Sequence, residues 1–468
     1  MLVVRSFRSS APRLITSGRA NFPITASPTG RYLVDADGRP FPILGRALWY
    51  ALSLNAADRS TVLDDTAAKG FNAVEIKAIG HDSRNPTVPQ TGNGALPFTN
   101  RLDGGTWSGA LTYTTIGNEA PDFATPNSTY WTWVDTFLNE CQARGLLVLM
   151  FPLYCGYSGT AQGWMNEMVA NGTTKCQGFG SFLANRYAAQ KNIMWMLGGD
   201  YGTGTHAFSG GESAVESAMI TGLNSVAGQS RLYSAEWDSP ALATDGTFGT
   251  SCNVNGAYSF EGLITTYGSN ARKYTGAGSP LPAFALEYPY DEEGPDGTGV
   301  NAAATQPVRR FTWWVFLATC GGYMTGNGYV WMFGASWQSH LNTAGAQDLA
   351  RFNAFIKTVE WWRLLPDGVG GVGTLVTAGG GTIDTTNYVQ AACTGNGDLL
   401  IAYLGPGTAG SVTIDMTKMR GTTTARWFDP TNGNYTSIGS FANTGTRTFT
   451  TTGNNSAGAA DWVLRLDA

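Results

Sequence analysis

The chain carries 468 residues and a net charge of −5, and only 13% of the residues are charged, about half the usual share of about 25%. No Lys/Arg cluster is interleaved with aromatics, which speaks against a nucleic-acid partner, and no apolar run of about 18 residues exists to span a membrane. Aromatics reach 12%, with 15 Trp and 19 Tyr, a composition that suits stacking on neutral rings such as sugars and equally suits a large aromatic core.

Residues 1–30 contain four Arg and no acid, and read as an N-terminal arm. The start, Met1 to Arg8, lacks the continuous apolar stretch of a secretory signal. An extracellular or periplasmic protein is expected nonetheless, exported by another route, processed, or carried on a larger particle. From Arg31 the pattern sharpens. The turn signature Asp35-Ala36-Asp37-Gly38-Arg39-Pro40 lies between Tyr32-Leu33-Val34 and Phe41 to Gly45, which predicts a hairpin.

Strands and helices then alternate. Asp58–Lys69 reads as a helix capped by Asn55 and stopped by Gly70. Asn72–Ile79 reads as a strand. Residues 80–127 are rich in Gly, Pro, Thr and Asn, and so long a loop inside a compact domain is usually functional. Tyr130, Val134, Phe137, Leu138 and Cys141 fall at helical spacing before Gly145. Leu146–Phe151 is a buried strand. A helix over about Phe179–Gln190 precedes the strand that ends at Asp200. Ala214–Val226 is a helix, Arg231–Trp237 a strand, and Ala257–Phe260 a weaker one. Phe284–Glu287, a helix over Gln306–Thr319 and a strand over Gly322–Trp331 complete the series. Eight strands alternating with helices predict a (β/α)8 barrel over 31–365. From about Pro366 helical spacing gives way to short alternating runs such as Leu399–Leu404 and Ser411–Ile414 between Gly/Thr/Asn turns, which predicts an all-β sandwich over 366–468.

Two of the apolar runs end in a carboxylate: Ile193 to Gly199 at Asp200, and Pro282 to Leu286 at Glu287. A continuous apolar run reads as a strand buried on both faces, and in a barrel its C-terminal end faces the active site. Two such carboxylates suggest an acid with a nucleophile, or an acid with a base, for cleaving a glycosidic bond. Other acids compete. Glu75 lies mid-strand, where an interior ion pair with Lys77 or an Arg is the alternative reading. Glu236 or Asp238 could bind substrate hydroxyls, as could Glu261. Asp291, Glu292, Glu293 and Asp296 form a Gly-rich acidic loop that reads as solvated rather than as a calcium site.

Sugar-stacking platforms are expected among the aromatics at strand ends: Trp49, Tyr50, Tyr154, Tyr201, Trp237, Tyr288, Trp331 and Trp337. His81 is a candidate for a sugar-hydroxyl contact. Six cysteines without a Cys-x-x-Cys pair and only three His argue against structural zinc, and no metal or cofactor is expected. Cys141 and Cys320 read as buried thiols, whereas Cys155 and Cys176 could pair.

Arg31-Tyr32-Leu33-Val34-Asp35, Gly38-Arg39-Pro40-Phe41 and Ala47-Leu48-Trp49 resemble the opening of the apiosidase-like glycoside hydrolases of glycoside hydrolase family 140. Asp64 to Val74, Pro126 to Trp131 with Val134-Asp135, and above all Asn192 to Asp200 are similar to further segments of that family. Arg426 to Gly433 and Asp461 to Leu464 resemble the β module that follows the barrel in many members, sometimes named for collagen binding. The resemblance covers about 31–468. It implies a retaining barrel hydrolase with Asp200 as acid/base after the fourth strand and Glu287 as nucleophile after the seventh. Two segments depart from the pattern. Gly45-Arg46-Ala47-Leu48-Trp49 lacks the acidic residue usual shortly before the Trp, and Glu287 lies in the looser match Leu286-Glu287-Tyr288-Pro289-Tyr290.

The expected function is therefore hydrolysis of glycosidic bonds in a plant or microbial polysaccharide or oligosaccharide. The alternatives are a non-catalytic carbohydrate-binding or adhesive protein on a hydrolase-like barrel, and a particle-borne depolymerase.

Overall fold

A computed structural model describes residues 19–85, 87–111, 119–157, 162–228, 231–259, 274, 280–293, 305–319 and 321–468. The expectations for residues 1–18, Phe260, Glu261, Asp296 and Cys320 lie outside them. The chain opens with three short antiparallel strands, β1 (Thr25–Ala26), β2 (Leu33–Val34) and β3 (Pro40–Phe41). Asp35 nucleates the turn by accepting the amides of Asp37 and Arg39, each at 3.0 Å.

Nine strands follow: β4 (Ile43–Ala47), β5 (Ala73–Lys77), β6 (Leu147–Phe151), β7 (Ile193–Gly198), β8 (Leu232–Glu236), β9 (Ala241–Leu242), β10 (Asn255–Tyr258), β11 (Ala283–Leu286) and β12 (Gly322–Thr325). They form one sheet in the order β8-β7-β6-β5-β4-β12-β11-β10-β9. Every pairing in it is parallel except that of β9, which runs antiparallel to β10. The two parallel ends, β8 and β10, meet through the Asn253 and Val254 amides, each 3.0 Å from the Tyr233 carbonyl. The Gly256 amide donates to Ser234 Oγ at 3.1 Å beside them. Eight parallel strands thus close a barrel, and β7 and β11 are the fourth and seventh of them.

The helices α1 (Ala56–Ala68), α2 (Ser128–Ala143), α3 (Met165–Arg186), α4 (Gly210–Leu223), α5 (Thr305–Thr319) and α6 (Ala344–Ile356) pack outside the strands. Their ends follow local chemistry. Asn55 accepts the Asp58 amide at 3.0 Å, and Asn127 accepts the Thr129 amide at 3.1 Å. Ser209 and Glu212 form a reciprocal capping box on α4. Helix α3 begins well before the Phe179 expected from periodicity, because its first turns bend at Gly172 (φ 70°, ψ 175°), where the 3.6-residue pattern is interrupted. Helices α3 and α4 touch at Gly180 and Gly222: a Cβ on Gly222 would stand 2.2 Å from the Gln177 carbonyl oxygen. The last barrel strand ends at Thr325 rather than Trp331, because Asn327 caps a turn by accepting the Tyr329 amide at 2.9 Å. Cys155 and Cys176 are not paired. Both are buried free thiols.

The barrel interior is one buried cluster that includes Leu149, Met194, Met196, Phe284 and Leu286. Phe22, Ile24, Leu33 and Phe41 join it, so the opening strands plug the barrel.

Beyond the barrel lie β13 (Leu364–Pro366), β14 (Val376–Ala378), β15 (Val389–Thr394), β16 (Leu399–Leu404), β17 (Ser411–Asp415), β18 (Thr423–Phe428), β19 (Tyr435–Phe441), β20 (Thr446–Thr450) and β21 (Trp462–Asp467). They make two antiparallel sheets, β13-β15-β16-β21-β18-β19 and β14-β17-β20, packed as a sandwich. One face of the larger sheet buries Leu400, Ala402 and Leu464 against the smaller sheet. Its other face buries Ile401, Tyr403 and Val463 with Trp313 of α5 and Phe352 of α6. Arg309 of α5 is buried there between Asp461 (2.7 and 2.8 Å) and Asp348 (2.6 Å). Among the described residues no helix is long and apolar enough to cross a membrane.

Candidate active site

The strand ends on one rim of the barrel collect acids. Strand β7 runs into Gly198-Gly199-Asp200, and β11 runs into Glu287. Both acids adopt left-handed backbone, with φ of 50° at Asp200 and 38° at Glu287, a conformation that non-glycine residues seldom take. The turn before Asp200 is tightly held. The Cys155 amide donates to the Gly198 carbonyl at 2.8 Å, and the Gly199 amide donates to the Glu236 carbonyl at 2.7 Å. Gly199 is required here: a Cβ would stand 2.4 Å from the Tyr154 ring.

Three tyrosines connect the carboxyls. Tyr154, after β6, donates its hydroxyl to Asp200 Oδ2 and lies 3.3 Å from Glu236 Oε1. Tyr290 donates to Glu287 Oε1 and accepts the Trp49 indole N–H at 3.1 Å. Tyr258, the last residue of β10, faces the same carboxyls, and its hydroxyl favours the ionised forms of Asp200 and Glu287.

Glu75 of β5 and Glu236 at the end of β8 face the same interior, and both are fully buried. Both Glu75 oxygens and Glu236 Oε2 have no hydrogen-bond partner among the described residues. Burial pushes all four carboxyls upward, because the charged form loses its solvation. For Glu287 burial and then the Asp200 charge raise it to about 7. Glu75 is raised well above the carboxylate range by burial, then by Glu287 and Asp200. Glu236 behaves alike, through burial, then Glu287 and Asp200. Asp200 is raised by burial against the opposing hydrogen bonds of Tyr154 and Tyr258. Like charges this crowded cannot all ionise near neutrality, so the cluster holds protonated and ionised carboxyls side by side. Lys77, at the end of β5, is buried among them with its ammonium 3.7 Å from the centre of the Tyr154 ring. Among the described residues no group of three or more His, Cys, Asp or Glu could hold a metal ion.

The residues read from the sequence fall into two sets. Asp200, Glu287, Tyr154 and Trp49 come together. Trp331 is partly exposed on the rim, its ring 6.2 Å from Tyr50 and 5.2 Å from the Arg84 guanidinium. Asp238 ties down the neighbouring loop, accepting Thr205 Oγ1 at 2.8 Å, and its charge acts on Asp200. The others turn into the packing. His81 is fully buried, its Nε2 3.1 Å from Glu167 Oε1 and its ring against Trp164. Trp237 donates its indole N–H to the Ala243 carbonyl at 3.1 Å inside the outer core. Tyr288 bonds Thr312 Oγ1 at 2.7 Å beneath α5. Tyr201 bonds Glu212 Oε1 at 2.8 Å and Trp337 is buried in the outer core. The interior ion pair of Glu75 with Lys77 does not form among the described residues. Asp291 of the acidic loop accepts Thr305 (3.0 Å), Thr343 (2.6 Å) and Asn327 (3.2 Å) as a loop anchor.

Sequence reasoning missed Tyr258 and Tyr290 as site residues. Tyr258 was visible as the aromatic that closes a strand, and Tyr290 as an aromatic three residues beyond Glu287.

Comparison with known proteins bears on the family and the fold. The family model described as "Apiosidase-like, catalytic domain" matches residues 27–363. The model described as "Putative collagen-binding domain of a collagenase" matches 379–467. No curated protein sequence matches the chain. Among solved structures, a glycoside hydrolase family 5 protein from Bacteroides vulgatus ATCC 8482 superposes with a TM-score of 0.74 at 18% identity, covering 96% of this chain and 95% of that one. Another structure, named as a glycoside hydrolase, gives a TM-score of 0.73 at 17% identity over 96% and 98%. At such identities the likeness is one of fold.

Proposed function

The chain belongs to the apiosidase-like catalytic-domain family, and on that premise we propose that it is a retaining glycoside hydrolase acting on a plant or microbial polysaccharide. The observation that carries this reading is the pair Asp200 and Glu287, set on two strand ends of one barrel rim, with the Tyr154 hydroxyl donating to Asp200 and the Tyr290 hydroxyl donating to Glu287. Retaining enzymes need about 5–5.5 Å between carboxyls, and inverting ones about 6.5–9.5 Å.

In this mechanism Asp200 donates its proton to the glycosidic oxygen as the bond to the leaving group breaks. Glu287, ionised, attacks the anomeric carbon and forms a glycosyl ester. Asp200, now ionised, takes a proton from water, which attacks the same carbon and releases Glu287. Tyr290 supports the nucleophile, since its hydrogen bond favours the carboxylate over the acid. Trp331 on the rim offers a face for a neighbouring sugar ring.

Azide rescue tests both roles. The Glu287→Ala variant should lose turnover and regain it with azide, giving a glycosyl azide of inverted anomeric configuration. The Asp200→Ala variant with an activated substrate should give the azide of retained configuration. Full activity of Glu287→Ala, or the opposite pairing of products, would remove the assignment.

A further inference from the structure

One phenol proton faces two carboxyls. The Tyr154 hydroxyl donates to Asp200 Oδ2 and also lies 3.3 Å from Glu236 Oε1. A tyrosine hydroxyl has one proton to give and an oxygen that accepts. Both contacts are hydrogen bonds only if one of the two carboxyls is itself protonated and donates to Tyr154 Oη. We propose that this carboxyl is Glu236 and that it is a positioning residue: held as the acid, it donates to Tyr154 and so fixes the Tyr154 proton on Asp200. This rests on the reading of Asp200 as the acid/base.

The surroundings of the two carboxyls differ. Glu236 is fully buried, and its Oε2 has no hydrogen-bond partner among the described residues. As a carboxylate it would keep a bare anionic oxygen out of water, which is costly. Asp200 lies at the rim, 8% exposed, and takes the closer of the two contacts with Tyr154. The Lys77 ammonium of β5 lies on the Tyr154 ring and donates to Tyr50 Oη at 3.2 Å. No hydrogen bond or ion pair joins it to Glu236 among the described residues. Glu75 of β5, Tyr258 of β10 and Glu287 beyond β11 are the other titratable groups that act in this space, and burial, then the Glu287 and Asp200 charges, favour the acid form of Glu236. The backbone fixes the arrangement. Gly198 pairs with Glu236 across β7 and β8, and the Gly199 amide donates to the Glu236 carbonyl at 2.7 Å. The Asp200 turn and the Glu236 side chain are thus set by one strand pairing, with the Tyr154 ring held between Trp49 and Phe151 at 5.6 and 5.2 Å.

The direction of this chain matters for acid catalysis. In the opposite order Asp200 would give its proton to Tyr154 Oη, and Tyr154 would give its own to an ionised Glu236. The Asp200 proton would then point at Tyr154 and not at a glycosidic oxygen. With the proton on Glu236, Asp200 Oδ2 accepts from Tyr154, and Oδ1 is left to carry the proton that the leaving group takes. Once that proton is given, the chain from Glu236 through Tyr154 to Asp200 spreads the new charge over two linked hydrogen bonds.

The first arm of the test needs no sugar. Infrared difference spectra of wild type against Glu236→Gln at pH 7 should show a protonated-carboxyl C=O band that the variant lacks. Loss of a carboxylate band in its place overturns the proposal. The second arm follows kcat and kcat/KM across pH as reducing-sugar release from a polysaccharide that the wild type cleaves. Glu236→Gln, whose amide still donates to Tyr154, should leave the alkaline limb of kcat/KM in place. An ionised Glu236 would hold Asp200 up by its charge, so a limb that drops by about one pH unit or more in Glu236→Gln also overturns the proposal. Glu236→Met should lower kcat about tenfold, more than Glu236→Gln does. It should add nothing to the loss in Tyr154→Phe, because both cut one chain. Additive losses would mean that Glu236 does not act through Tyr154, and overturn the role. If the methionine variant does not fold, the glutamine variant and the spectra decide. A wild type that cleaves no glycan while the protonated band belongs to Glu236 would defeat the hydrolase reading and leave the proton on Glu236 standing.

Discussion

Asp200 and Glu287 lie on different strands of the barrel yet share one backbone conformation, φ of 50° and 38°. A left-handed non-glycine residue costs about 1–3 kcal/mol, and the fold carries that cost at both candidate catalytic acids. Each acid is the residue at which a strand turns over the barrel mouth, so the strain aims both carboxyls into one space.

Burial of Glu287 sets a stability trade. Its carboxyl is raised to about 7 in the folded chain, against about 4.3 when unfolded. Below the unfolded value both states are protonated and nothing is lost. As pH rises between these values the unfolded chain releases its proton first, so folding stability falls, by about 4 kcal/mol in all. Glu287→Gln should therefore raise the thermal midpoint at pH 7–8, and the gain should vanish by pH 4. Calorimetry across that range checks it. A gain that persists at pH 4 would assign the effect to packing instead.

The Trp49–Tyr290–Glu287 relay predicts a coupled pH effect. Tyr290→Phe removes a hydrogen bond that favours the Glu287 carboxylate. The acid limb of kcat/KM should move upward and kcat should fall about tenfold, in line with the roughly 1.5–3 kcal/mol of a hydrogen bond to a charged group. Trp49→Phe, one step further out, should show the smaller shift of the two. Steady-state rates across pH measure both, and an unmoved limb in Tyr290→Phe would count against the relay.

Gly199→Ala is a steric probe of the Asp200 turn. The new Cβ would sit 2.4 Å from Tyr154 Cδ2, at φ of 105°. Either the turn or the Tyr154 ring must shift, and Asp200 loses its hydroxyl donor. A loss of about 100-fold or more in kcat is expected, because misplacement by about 1 Å is enough for that, with a lowered thermal midpoint. Wild-type kinetics in this variant would show that the turn does not position the acid.

The contact between barrel and sandwich predicts one cooperative unit. Asp461 accepts both Arg309 nitrogens, Tyr403 Oη at 2.9 Å and Asn455 Nδ2 at 3.0 Å. Asp461→Ala leaves Arg309 short of its main partner in a buried place, at a cost of about 3–5 kcal/mol. Denaturant unfolding should show a single transition moved to lower concentration. Two separate transitions would mean that the sandwich melts independently of the barrel.

Much of this fold was legible in the residues. Apolar runs ending in Asp200 and Glu287, the helix cap at Asn55, and the loss of helical spacing after Pro366 are local signals, and local geometry obeys them. The sequence also determined that two carboxylates close buried strands. It did not determine which side chains meet across the closed sheet. In a strand buried on both faces, such as β5, apolarity no longer separates the inner face from the outer, so Glu75 and Lys77 read as an ion pair when the barrel instead sets them among acids from three other strands. At strand ends one residue of offset reverses a side chain: Glu236 faces the interior, and Trp237 beside it is sealed in the outer core. Tertiary closure alone decided that Tyr154, Tyr258 and Tyr290 converge on two carboxyls, because their convergence depends on the stagger of neighbouring strands, a property of the closed barrel and of no single segment within it.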